Sequence, residues 1–206
     1  MTARLAVLWL LIGLLYSPGS LALQKNVLIL GDSISAAYGM SLEEGWANLL
    51  QSRLQERGIS YQVINSSISG ADSSHGVRAL PGLLEQHQPA ILVLELGGND
   101  GLRGYPLKRL RENLQSMISL AQQAGAQVIL VGMQIPPNYG TRYAQGFSSS
   151  YQQLATANSI VLVPQFLENI ARQSDMMQAD GIHPTPAAQA LLLENLWPHL
   201  EALLDD

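Results

Sequence analysis

Five short apolar runs, each followed by a stretch of helical spacing, constrain this sequence more than any other feature. The runs are Val27–Leu30, Tyr61–Ile64, Ile91–Leu96, Val128–Val131 and Ile160–Val163. Most are unbroken rather than alternating, as expected of strands covered on both faces. Between them, Trp46, Leu49, Leu50 and Leu54 share one helical face up to Gly58. A second helix is expected after Gly70 through Val77, Leu80, Leu83 and Leu84, with Pro81 as a mid-helix defect. A third runs from Pro106, through Leu107, Leu110, Leu114, Met117, Ile118 and Ala121, to Gly125. A further helix is expected over Tyr151–Ala157, and a closing one after an N-cap and first-turn pair, Thr185-Pro186, with a kink at Pro198. The Pro-, Gly- and Tyr-rich stretch from Gln134 to Gly146 reads as a long loop and a candidate site wall. Repeated strand–helix–strand units predict one three-layer α/β/α domain built on a parallel sheet.

The first residues read differently. Arg4 precedes an apolar run, Leu5–Tyr16, followed by Pro18, Gly19 and the small-residue pattern Ser20-Leu21-Ala22. This is the layout of a secretory signal peptide cleaved after Ala22, and the run is shorter than the ~20 residues that span a bilayer. Residues 1–22 are therefore expected to be removed and 23–206 to form the domain, with no stable membrane anchor and a periplasmic or secreted location. The chain has no cysteine, which excludes disulfides, thiolate chemistry and a lipid-modified cysteine. With a net charge of −5 and no Lys/Arg block, it lacks the basic footprint of a nucleic-acid binder.

Polar residues and glycines gather just past the strands. Gly31-Asp32-Ser33 follows the first, Ser69-Gly70 the second and Gly97-Gly98-Asn99-Asp100 the third, while Asp180-Gly181-Ile182-His183-Pro184 comes near the C-terminus. In a parallel sheet these strand-end loops open on one edge, where ligands bind in open α/β folds. Acyl transfer needs a nucleophile, a base, a group to orient the base and donors for the developing oxyanion. Ser33 fits the nucleophile and His183 the base, because imidazole titrates near neutral pH. Asp180 can fix the His183 tautomer if the turn between them bends back. The backbone N–H groups of Ser33 and Gly70 and the side-chain amide of Asn99 fit the oxyanion donors. Asp32 is expected to support the turn rather than to perform chemistry.

Gly31-Asp32-Ser33, Gly70 in Ser67-Ile68-Ser69-Gly70, Gly98-Asn99-Asp100 and Asp180–Pro184 resemble the four blocks of the SGNH (GDSL) hydrolase family. The resemblance covers the whole chain after residue 22. It is closest to the bacterial periplasmic arylesterase, lysophospholipase and acyl-CoA thioesterase group, through Leu94–Gly104, Met133-Gln134-Ile135 and Asn138-Tyr139-Gly140. It implies a flavodoxin-like SGNH fold with a five-stranded parallel sheet. It also implies a Ser33–His183–Asp180 triad, an oxyanion hole from Ser33, Gly70 and Asn99, and hydrolysis of esters and thioesters without a cofactor. One departure stands out: Ala71-Asp72 follows the block-two glycine, where the group has Asp-Thr.

Arg103, Tyr139 and Ile182 are candidates for positioning the substrate. His75, His87 and His199 read as solvated residues, and their spacing from Asp180 and His183 fits no metal site. Neither Gly-x-Gly-x-x-Gly nor Gly-x-Ser-x-Gly occurs at the first strand, against a dinucleotide site and the usual nucleophile elbow. The expected partner is a small acyl ester or thioester, bound by a monomer. The rival readings are a carbohydrate O-deacetylase on the same scaffold and a non-catalytic lipid-binding protein.

Overall fold

The computed structural model describes residues 25–135 and 137–204; the expected leader, residues 1–22, lies outside the described residues. Strands β1 (Lys25–Gly31), β2 (Tyr61–Asn65), β3 (Ile91–Glu95), β4 (Gln127–Val131) and β5 (Val161–Val163) form one sheet in the order β2-β1-β3-β4-β5. Every pairing is parallel. Helices α1 (Trp46–Glu56) and α6 (Gln189–Glu201) cover one face. Helices α2 (Ser73–His87), α4 (Leu107–Gln123) and α5 (Thr141–Asn158) cover the other, and α3 (Gly98–Leu102) is a short turn of helix after β3.

The strand period of two sorts the apolar runs between these layers. Val27, Ile29, Ile91, Val93, Ile129 and Val131 pack toward Trp46, Leu50, Leu54, Leu192, Leu196 and Trp197. Leu28, Leu30, Leu92, Leu94, Val128 and Leu130 face Leu80, Leu110, Leu114, Met117, Ile118, Phe147 and Tyr151. Because both faces are covered, nearly every position of β1 and β3 is buried, which is why alternation is absent from their sequences.

The strand order reverses between β1 and β3. In an open parallel sheet the connections leaving these two strands diverge to opposite faces and leave a crevice beyond their carboxyl ends. Ser33 and Asn99 stand at that crevice.

Three local expectations are corrected. The segment expected as a loop to Gly146 is short, because α5 begins at Thr141. Its first turns are mostly exposed or half-buried and polar, so they carry no apolar periodicity; Tyr143 ties them down by donating to the Tyr105 carbonyl at 2.6 Å. Thr185 does not cap the closing helix with its side chain: its hydroxyl donates to the Asp175 carbonyl at 3.0 Å, and a 3-10 turn, Pro186–Ala188, intervenes before α6. Helix α3 was not expected, since Gly-Asn-Asp-Gly has no helical signature of its own. Asp100 holds it in place by accepting from the Ser73 N–H (2.7 Å) and hydroxyl (2.6 Å) at the start of α2. Pro81 and Pro198 lie inside α2 and α6, both on the exposed side.

Candidate active site

Ser33 follows β1 in a tight turn closed by bonds from the Ala36 N–H to the Asp32 carbonyl (3.0 Å) and from the Tyr38 N–H to the Ser33 carbonyl (3.1 Å). Asp32 stiffens the turn: its Oδ1 accepts from the Ile34 N–H at 3.1 Å. The turn presents the Ser33 hydroxyl to His183, whose Nε2 lies 2.8 Å from Oγ. Across the ring, His183 Nδ1 lies 2.6 Å from Asp180 Oδ2.

The turn at 180–183 does bend back. Asp180 Oδ1 accepts from the Ile182 N–H (2.9 Å) and the His183 N–H (3.0 Å), and Gly181 supplies the left-handed conformation (φ +66°) that the bend requires. The bond from the His183 side chain, with those two backbone N–H groups, holds the Asp180 carboxyl down at about 2. It is therefore ionised across the working range and fixes the proton of neutral His183 on Nδ1, leaving Nε2 as the acceptor for Ser33. The segment is clamped from outside by a bridge in which the Gln178 N–H donates to the His183 carbonyl (2.7 Å) and the Thr185 N–H to the Met176 carbonyl (2.8 Å). The Gln178 side chain also donates to the carbonyls of Tyr38 (2.8 Å) and Pro184 (3.0 Å), joining the nucleophile loop to the base loop. The Tyr38 ring sits 4.4 Å from the imidazole.

The three expected oxyanion donors are in different states. Among the described residues the N–H groups of Ser33 and Gly70 have no internal backbone acceptor. Gly70 has φ +80° with open space where a Cβ would be, so glycine is needed there for conformation rather than room. The Asn99 amide is already oriented, donating to the Ala71 carbonyl at 3.0 Å and to Asp32 Oδ2 at 3.3 Å.

Of the substrate-positioning candidates, Ile182 is exposed beside the triad. Tyr139 is partly exposed, its hydroxyl donating to the Leu102 carbonyl at 2.9 Å. Arg103 donates to the Gly70 carbonyl (3.2 Å) and lies 3.6 Å from Asp72. The Ala71-Asp72 departure is thereby accounted for: Ala71 is buried, while Asp72 caps α2 through the His75 N–H and meets Arg109 at 3.0 Å. His75 lies in that first turn and His87 in the last turn of the same helix. Among the described residues no three His, Asp or Glu side chains converge as a metal-binding cluster. Tyr38, Gln178 and Glu95 were missed from sequence. Only Glu95 carried a signal, an acid inside an apolar strand.

The family described as GDSL-like Lipase/Acylhydrolase matches residues 29–191. The chain belongs to this family. Within it, the chain is 51% identical over 183 residues to "Esterase TesA" of Pseudomonas aeruginosa, covering 89% of this chain and 91% of that protein. It is 39% identical to "Thioesterase 1/protease 1/lysophospholipase L1" of Escherichia coli, covering 89% and 87%. Among solved structures, the psychrotrophic esterase EstA from Pseudoalteromonas sp., inhibited by monoethylphosphonate, superposes with a TM-score of 0.83 at 42% identity, over 86% of this chain and 97% of that one. Like other members of this GDSL family, the chain is a serine hydrolase with a five-stranded parallel sheet flanked by helices.

Proposed function

We propose that this chain is an esterase and thioesterase that works through an acyl-enzyme on Ser33. His183 Nε2 accepts the Ser33 proton as Oγ attacks the carbonyl, and the Nδ1 proton stays hydrogen-bonded to Asp180. The tetrahedral oxyanion is met by the N–H groups of Ser33 and Gly70 and by the Asn99 amide, which keeps one N–H on Asp32 and turns the other from the Ala71 carbonyl to the oxyanion. His183 then delivers the proton to the departing alcohol or thiol. Water, deprotonated by the same nitrogen, attacks the acyl-Ser33 ester and restores the free serine. The observation that carries this reading is the continuous chain of contacts, Ser33 Oγ to His183 at 2.8 Å and His183 to Asp180 at 2.6 Å.

Aryl esters, lysophospholipids and acyl-CoA are the substrate classes favoured. Tyr38, Ile68, Tyr139 and Ile182, four of the exposed large apolar side chains, belong to loops leaving the strand ends or to the triad segment. Such a rim suits an acyl chain better than an acetylated sugar. Residues 1–22 are proposed to export a monomeric enzyme. The test is hydrolysis of a chromogenic acyl ester, with Ser33→Ala expected to abolish turnover and a phosphonate probe expected to label Ser33 alone. Full activity in Ser33→Ala would sink the mechanism; preference for acetylated sugars over octanoyl esters would shift it to deacetylation.

A further inference from the structure

Two buried carboxyl groups lie directly beneath the site, and the mechanism above uses neither. Asp32 is 3% exposed and Glu95 fully buried, with Gly31 and Glu95 paired across β1 and β3. Among the described residues neither has a Lys or Arg ion-pair partner. Glu95 Oε2 accepts from the Ser35 hydroxyl (2.7 Å) and the Asp32 N–H (3.1 Å), while Oε1 has no partner. Asp32 Oδ1 accepts from Ile34 and Oδ2 from Asn99. The two motif glycines make room for these acids. A Cβ on Gly31 would collide with Glu95 Oε2, and one on Gly98 would sit 3.0 Å from Asp32 Oδ2.

We propose that Asp32 and Glu95 form a pair carrying one proton and one negative charge, with the proton on Glu95 and the charge on Asp32, where it positions the oxyanion donor Asn99. The inference rests on the acyl-enzyme reading. Two unpaired charges so close in a dry interior repel strongly, so one must be neutral. Each carboxyl accepts two hydrogen bonds, so depth of burial and the remaining contacts decide which. Asp32 faces charge-stabilising donors in Ile34 and Asn99 and feels His183; Glu95 is the more deeply buried and has one oxygen without any donor. Burial raises Asp32 to about 6 against those favourable contacts, and burial together with the Asp32 charge pushes Glu95 well above the ordinary range. The other groups facing the pair are Asp100 from α3, which also raises Asp32, and Tyr151 from α5, whose hydroxyl is held neutral chiefly by burial. Asp32 is thus a positioning residue that acts through Asn99. As pH falls through about 6 it takes up a proton, and its grip on the Asn99 amide weakens.

The test is the pH profile of kcat on a chromogenic ester. The wild-type acid limb should be steeper than a one-proton limb and follow two protons, one of them taken up by Asp32 as pH falls through about 6. Asp32→Asn sets an amide donor against either Ile34 N–H or Asn99. Its kcat should fall about tenfold to a hundredfold, as for a displaced catalytic group, with KM little changed and a one-proton limb. Glu95→Gln, neutral and similar in size, should keep the two-proton limb. A two-proton limb in Asp32→Asn, or a one-proton limb in Glu95→Gln, would overturn the proposal. Carbon-13 NMR of the wild-type carboxyl groups needs no substrate and does not depend on either variant folding. Glu95 should remain protonated at neutral pH while Asp32 titrates near 6; both ionised at neutral pH would refute the pair. Activity surviving in Ser33→Ala would instead defeat the acyl-enzyme reading and leave that titration standing.

Discussion

Gly97→Ala probes the hinge between β3 and the oxyanion donor. Gly97 has φ +118°, a conformation that L side chains rarely adopt. A Cβ there would fall far inside contact distance of the Tyr151 hydroxyl oxygen, 2.9 Å from a Leu110 methyl and 3.3 Å from Tyr151 Cζ. Leu110 can rotate away. Tyr151 cannot do so cheaply, since it is buried and its hydroxyl donates to the Leu96 carbonyl at 3.0 Å. Backbone strain of about 1–2 kcal/mol adds to an overpacking cost of about 1–3 kcal/mol. At roughly 2–4 °C per kcal/mol for a chain of this size, the Tm should drop on the order of 10 °C. Tyr151→Phe alone removes the donor from the Leu96 carbonyl and costs about 1 kcal/mol. Combining the two deletes the clashing oxygen, so the double variant should be more stable than the sum of the single losses predicts, by about 1–3 kcal/mol. Urea denaturation of the four proteins measures this cycle. A Tm for Gly97→Ala within about one degree of wild type, or strict additivity in the cycle, would refute the steric account.

Asn99→Ala removes one oxyanion donor and should lower kcat by roughly 10²–10³ with little change in KM, measured on the chromogenic ester. Arg103→Ala frees the Gly70 carbonyl from a half-exposed contact worth at most about 1 kcal/mol, so kcat should fall no more than about fivefold; a rise in KM alone would return Arg103 to substrate binding. The Asp180 carboxyl, held at about 2 in the folded protein against 3.8 ordinarily, is a depressed acid. Its contribution to stability is present above the ordinary carboxylate range and lost as pH falls through about 2. Thermal melts should therefore separate wild type from Asp180→Ala near neutral pH and converge at strongly acid pH.

The sheet was legible because both its faces are buried. The helices covering those faces turn the strands into unbroken apolar runs, and the glycines after β1 and β3 mark where the chain leaves the sheet. The grouping of Ser33, His183 and Asp180 was expected on condition that the turn between the last two bends back, and Gly181, at positive φ, supplies that bend. What escaped were features with no period or propensity. The first turns of α5 are polar and mostly exposed, so nothing distinguished them from a loop. Helix α3 exists because Asp100 reaches across to Ser73, a contact 27 residues away in sequence. The contact of Arg103 with the Gly70 carbonyl also escaped, because a backbone partner leaves no mark in sequence.

Glu95 shows how the same reasoning extends. A charged residue in the third apolar run is costly wherever that strand is buried, so its presence already demanded a partner group at the strand end. The partner lies in the motif itself: the Asp32 N–H and Ser35 hydroxyl both reach Glu95 Oε2. Gly31 and Gly98, which looked like turn formers, are where β-carbons would strike the two acids. Gly31-Asp32-Ser33 and Gly98-Asn99 are therefore coupled through a buried carboxyl pair, and the nucleophile and the oxyanion donor are set against each other by the residues between them. That coupling implies that a substitution at either glycine should impair catalysis through Asn99 even where Ser33 and His183 keep their contact.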